Sequence, residues 1–145
     1  MTLTAAQAKY PGAIGFTYGD SAKLNAEILT LVRSGQKTVT CDALAGYEAR
    51  SEPPPKVGRV DIALDWAGVP QLAVRTVHVQ VVGFDRMPEA LVADQGEFRD
   101  LDHWQQAYRA YLTRAGLFAQ DADMLVERFE LLEDFAAGQQ RSLVV

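Results

Sequence analysis

The longest β-rich run in the chain, Gln71 to Val82, follows a shorter one, Val60 to Asp65, across a turn at Trp66-Ala67-Gly68. Two such runs joined by so short a connection predict an antiparallel hairpin. In the second run Leu72, Val74 and Thr76 alternate with Ala73, Arg75 and Val77, the period of a strand. A run this long is expected to bend or to carry a bulge. The chain must therefore host a long antiparallel ladder, and no βαβ rhythm or glycine-rich phosphate loop accompanies it.

The flanking segments supply helices. Asp20 or Ser21 can cap a helix in which Leu24, Ile28, Leu31 and Val32 repeat at helical spacing until Gly35. Lys37 to Cys41 is β-branched and alternating, so a strand follows the helix directly. Ala43 to Arg50 predicts a short helix, and Pro53-Pro54-Pro55 a stiff loop inside one domain. Pro88 to Asp94 reads as a weak short helix. Asp100 to Arg114 reads as a stronger one, capped by Asp100, with Leu101, Trp104, Tyr108, Tyr111 and Leu112 on one stripe. Met124 to Leu132 predicts a last strand, with Leu125, Glu127 and Phe129 on one face and Val126, Arg128 and Glu130 on the other. Beyond it, Glu133 to Val145 carries weak signals. Strands from separated parts of the chain with helices between them predict an α+β arrangement, a small mixed or antiparallel sheet curled toward a barrel. The whole chain, residues 1–145, reads as one domain with its core at about 16–132.

Composition excludes several function classes. With 14 Lys plus Arg against 19 Asp plus Glu, the formal charge is −5, which disfavours binding polyanions by phosphate neutralisation. A small ligand or a short unpaired nucleic-acid segment fits better. Cys41 is the single cysteine, so no internal disulfide or thiolate zinc site is expected, and His78 and His103 are too few for a histidine-based one. No metal or cofactor is called for. No apolar run approaches the roughly 20 residues that cross a bilayer, and Met1 to Tyr10 is too polar for a secretory signal, so a cytoplasmic protein with no membrane partner is expected.

The densest polar patch in an apolar context is Ser34-Gly35-Gln36-Lys37-Thr38-Val39-Thr40-Cys41-Asp42, where helix hands over to strand. A lysine there can carry charge or act as a base when desolvated, and a threonine hydroxyl beside a base can act as a nucleophile. Threonines are also ordinary strand residues. Regular alternation places Lys37 and Thr40 on opposite faces, so a joint role requires Lys37 to lie just before the strand, or a bulge between them.

The string Gly35-Gln36-Lys37-Thr38-Val39-Thr40 resembles the Gly-x-Lys-Thr-x-Thr signature of the ASCH domains, which share a PUA-like β-barrel. Tyr47-Glu48, Pro55-Lys56-Val57-Gly58, Arg75-Thr76, Phe84-Asp85, Glu97, Leu101, Trp104 and Glu127-Arg128-Phe129-Glu130 follow in the order expected of the longer bacterial subgroup, so the resemblance spans about Phe16 to Leu132. It implies a PUA-like small curled β-barrel of mixed strands with inserted helices. Similar family members include small bacterial amidohydrolases that remove the acetyl group from acetylated cytidine, and others described as ribonucleases or RNA binders. Carried over residue by residue, the amidohydrolase lysine and second threonine fall on Lys37 and Thr40, and the later glutamate on Glu97, with Asp94 the other nearby carboxylate. Two positions depart from the subgroup: His78 stands where a glutamate is usual, and Tyr108 where a histidine is usual.

Amide cleavage needs a nucleophile, a proton acceptor and a donor for the developing oxyanion. Thr40 can attack or position water, Lys37 can accept a proton or stabilise the oxyanion, and Glu97 can carry a proton to the leaving amine. Tyr47 and Trp104 are candidates to stack on a base, although Trp104 lies on the apolar stripe of its helix. Glu48 can bond a base edge, and Arg75 is a ligand candidate whose alternative is a surface ion pair with Glu127. The resemblance thus implies a protein that binds a nucleoside or an unpaired RNA base and hydrolyses an amide or ester bond of it. The alternative is a non-catalytic RNA-binding or regulatory module, for which Arg33, Lys37, Arg50, Lys56 and Arg75 should form one positive stripe.

Overall fold

The computed structural model describes residues 1–137, so the carboxyl end of the 1–145 domain expectation lies outside the described residues. In chain order the elements are α1 (Leu3–Lys9), β1 (Ile14–Thr17), α2 (Ala22–Arg33), β2 (Val39–Ala43), α3 (Leu44–Ala49), β3 (Val60–Leu64), β4 (Pro70–Gly83), a 3₁₀ turn (Phe84–Arg86), α4 (Glu89–Ala93), α5 (Leu101–Arg114) and β5 (Asp123–Asp134). One five-stranded sheet runs in the order β1-β3-β4-β5-β2, antiparallel except for the parallel pair β1 and β3. The sheet curls into a half-barrel with helices packed around it, an α+β architecture. No helix among the described residues is long and apolar enough to cross a membrane.

The hairpin forms as its pattern dictates. Asp65 closes the turn by accepting from the backbone N–H groups of Ala67 and Val69, each at 2.9 Å. The first half of β4 pairs with β3, and nearly its whole length pairs with β5, Leu72 facing Asp134 at one end and Gly83 facing Asp123 at the other. Register shifts at Ala73/Val74 and Thr76/His78 break the ladder. Bulges of this kind bend a long strand and increase its twist, which lets one strand serve both halves of a curled sheet.

Two expectations needed correction. Lys37 and Thr38 are not part of a strand, because their backbone donors are used elsewhere: Lys37 N–H bonds the Leu31 carbonyl at the end of α2, and the N–H groups of Thr38 and Val39 both reach the Asp94 carbonyl. Gly35, at φ +79°, makes the left-handed turn that stops α2 and directs Lys37 back onto it. The second correction is an addition. α1 and β1 carry little local signal, since α1 is alanine-rich without periodicity and β1 is four residues interrupted by Gly15. They form through distant contacts: β1 adds to the edge of β3, while Ala6 and Ala13 pack with Ile62, Ala73 and Phe135.

Two further apolar clusters hold the sheet to its helices. α2 buries Ile28, Leu29 and Val32 against Leu72, Val74 and Phe129. On the other side Trp104 and Leu112 of α5 pack with Phe84, Val92, Met124 and Val126. The concave region between these clusters is where polar side chains collect.

Candidate functional site

Lys37 is 2% exposed, a burial that an ammonium tolerates only when its donors are matched. Here they are. Its Nζ donates to the Val39 carbonyl at 2.8 Å, the Gln95 carbonyl at 3.3 Å and Glu97 Oε2 at 2.7 Å. Three acceptors call for three N–H groups, so the lysine stands as the cation and Glu97 as its counter-ion.

The turn that brings Glu97 there depends on one glycine. Gly96 has φ +74°, and a Cβ at that position would stand 2.6 Å from the Gln36 carbonyl oxygen. Without a side chain the segment after α4 closes directly onto the segment before β2. Gln95, fully buried, secures the same turn: its Oε1 accepts from the Trp104 indole at 3.1 Å and from Cys41 Sγ at 3.6 Å. The Tyr108 hydroxyl donates to the Cys41 carbonyl of β2 at 3.0 Å. Burial pushes the Cys41 thiol up to about 11 and raises the Tyr108 hydroxyl well above its ordinary value, so both stay protonated and neither acts as an anion at neutral pH.

Across the sheet a second polar group gathers on neighbouring strands. Glu127 of β5 stands opposite Thr40 of β2, and its Oε2 accepts from the Thr76 hydroxyl of β4. Asp61 of β3 receives the Arg59 guanidinium on Oδ2, from Nε at 3.1 Å and Nη2 at 2.9 Å. Arg59 Nη1 is occupied by the Pro53 and Pro54 carbonyls, which ties the proline loop to this corner. Burial raises the titration of both carboxyls; Arg59 opposes it at Asp61 and the Thr76 hydroxyl opposes it at Glu127.

Both groups open into one cleft of about 1030 Å³, walled by Tyr18, Tyr47 and Tyr108. That is at the upper end of small-molecule sites and holds a nucleoside with room to spare. Lys37, Thr40, Glu97 and Tyr47 all line it. Lys37 and Thr40 share it because Lys37 precedes the regular strand, the arrangement their spacing required.

Four sequence candidates lie elsewhere. Asp94 uses its carboxylate on Arg128 at 2.8 Å and is absent from the cleft lining. Trp104 is fully buried in the α5 cluster and cannot stack on a ligand; it holds Gln95 instead. Arg75 is exposed and pairs with Glu130, its register partner on β5, rather than with Glu127. Glu48 is exposed on α3 outside the cleft. Of the two departures from the subgroup pattern, Tyr108 lines the cleft and His78 is exposed outside it. Sequence reasoning did not single out Asp61 as a site residue and gave Glu127 only a surface pairing; the available signal was Asp61 as the lone acid of its strand and Glu127 on the strand face it shares with Leu125 and Phe129.

A curled, mixed sheet with inserted helices and a polar cleft defines a PUA-like fold. The family model described as "ASCH domain" matches residues 15–133, and the chain belongs to that family. A protein of known structure from Enterococcus faecalis V583 is similar at 24% identity, with TM-score 0.79 over 94% of this chain and 89% of that one. The ASCH domain from Lactobacillus crispatus JV V101 superposes with TM-score 0.76 at 22% identity, covering 88% of this chain and 84% of that one. An ASCH protein from Zymomonas mobilis is more distant, at 13% identity and TM-score 0.50 over 84% of this chain and 66% of that one. No curated protein matches the chain.

Proposed function

We propose that this ASCH domain binds a nucleoside in the cleft and hydrolyses an N-acyl group from it, as the amidohydrolases similar in signature do on acetylated cytidine. The observation that carries the reading is the buried Lys37–Glu97 pair, 2.7 Å apart and facing the same cleft as Thr40. Lys37 in its cationic form is a donor for the oxyanion rather than a base. Glu97, 18% exposed on its side chain and adjacent to that cation, is the group able to take a proton from the attacking Thr40 hydroxyl or water and pass it to the leaving amine. When water attacks, the scissile C–N bond breaks as that proton arrives on nitrogen, releasing carboxylate and free nucleoside amine; when Thr40 attacks, the same step releases the amine and leaves an acyl ester on Thr40, which water then hydrolyses to carboxylate. Tyr47 and Tyr18 offer flat walls for a base.

Charge favours a nucleoside over an RNA strand. Seven acidic and four basic side chains line the cleft, a field that repels phosphates. The stripe needed by an RNA-binding module is also largely neutralised: Arg33 pairs with Asp134 at 3.1 Å, Lys37 with Glu97, Arg50 with Asp42 at 3.2 Å, and Arg75 with Glu130.

Hydrolysis of acetylated cytidine, as free nucleoside and within a short RNA, tests the reading against Lys37→Ala and Thr40→Ala. Turnover of the free nucleoside that both variants abolish supports it. Wild-type turnover no higher than the variants', with unpaired RNA still bound, overturns it in favour of the binding module.

A further inference from the structure

Within the wall of the cleft is a buried acceptor with nothing to accept. Asp61 is 6% exposed, and no protein group among the described residues donates to its Oδ1. Nearby donors are committed: Arg59 to Asp61 Oδ2 and to two proline carbonyls, and Thr76 to Glu127. A buried carboxylate oxygen left without a donor costs stability, and native folds leave few such atoms. Glu127, 9% exposed, lines the cleft together with Asp61, and the Tyr18 ring is buried beside them. The corner therefore has acceptors in excess, a flat wall and access to the same space as Lys37 and Thr40.

We propose that Asp61 and Glu127 form a second subsite that binds the sugar hydroxyls of the ligand and excludes phosphate. This deepens the nucleoside reading and rests on it. Carboxylates are apt receptors for such groups, since they accept from ribose hydroxyls. Division of labour follows, the lysine corner holding the acyl group while the acid corner reads the rest of the molecule. Arg59 gives the subsite its polarity, since it occupies Oδ2 and leaves Oδ1 for the ligand.

That geometry makes Asp61→Asn a sharp probe. Arg59 requires an oxygen at the Oδ2 position, so the amide NH₂ falls where Oδ1 stood and turns the acceptor into a donor. The experiment is calorimetric titration of the full chain with cytidine, uridine, which keeps the sugar, and 2′,3′-dideoxycytidine, which lacks two of its hydroxyls. Wild-type protein should bind cytidine about tenfold more tightly than 2′,3′-dideoxycytidine. Asp61→Asn should reduce that discrimination to about twofold or less. Equal binding of cytidine and 2′,3′-dideoxycytidine by wild type overturns the subsite, and needs no variant to fold. Undiminished discrimination in Asp61→Asn overturns it as well. Failure of wild type to bind any of the three overturns the nucleoside reading itself and the subsite with it, a result distinct from binding without discrimination.

Discussion

At one end of the cleft a buried lysine has an acceptor for each of its protons; at the other, two buried carboxyls face fewer donors than they can use. Lys37 is balanced by two carbonyls and Glu97, while Asp61 keeps one oxygen unmatched and Glu127 relies on a single hydroxyl. The difference teaches what each end can do. A saturated cation is held in place and can shift a hydrogen bond to charge that develops during a reaction, whereas an unsaturated acceptor is a receptor for a ligand already carrying a proton donor. The matched donors of Lys37 mark the chemistry, and the unmatched oxygen of Asp61 marks recognition.

The comparison breaks most visibly at the reacting group. Glu97→Gln keeps the shape of the side chain but removes the proton carrier, so hydrolysis of acetylated cytidine should fall by roughly 10²–10⁴-fold in kcat while binding of cytidine changes little. Steady-state kinetics beside calorimetry check both halves. If turnover survives, the balanced end is structural only.

Removing the cation comes next. Lys37→Met leaves Glu97 and two carbonyls without their donor, and breaking such a pair should cost about 3 kcal/mol, near the lower end for buried pairs because Glu97 retains contact with solvent. Urea unfolding reads this directly. A smaller loss is expected from Gly96→Ala, where positive φ and a Cβ 2.6 Å from the Gln36 carbonyl oxygen force the turn apart. About 2 kcal/mol of stability should go, and turnover should fall with it, since the same turn positions Glu97.

The smallest effect sharpens the acid end. Burial holds Glu127 above its ordinary value of 4.5, so from there upward to its raised value the folded chain binds more protons than the unfolded one. Stability contributed in this way is full at low pH and is lost as pH rises through that window. Glu133 has the opposite sign: the Lys9 hydrogen bond lowers it, so its contribution is present above the ordinary value and lost as pH falls. Melting temperatures followed from pH 4.5 upward should therefore decline less in Glu127→Gln than in wild type, by a few degrees at most. A variant that tracks wild type across the window would mean that Glu127 is solvated and the corner is not short of donors.

Much of this architecture was legible from local pattern. The hairpin, α2 with its Ser21 cap, α5 with its Asp100 cap and the bend in β4 all follow from periodicity and turn chemistry. Lys37 and Thr40 were visible as a polar cluster at a helix-to-strand junction, and the family resemblance pointed to Glu97. Trp104 misled because an apolar stripe records burial, and an aromatic ring on it serves the core before it serves a ligand. Arg75 misled because a strand's partner depends on register, and the bulges in β4 set that register so that Glu130 lies opposite.

By itself the sequence determined the elements and the identity of the chemical groups, since helix capping, alternation and a left-handed glycine act over a few residues. Tertiary structure decided which groups meet. Lys37 and Glu97 are sixty positions apart and Asp61 and Glu127 sixty-six, and the packing of four strands with a glycine turn brings each pair to one cleft. Whether a charge is matched or left wanting depends on every neighbour supplied by that packing, and no local pattern carries such a sum.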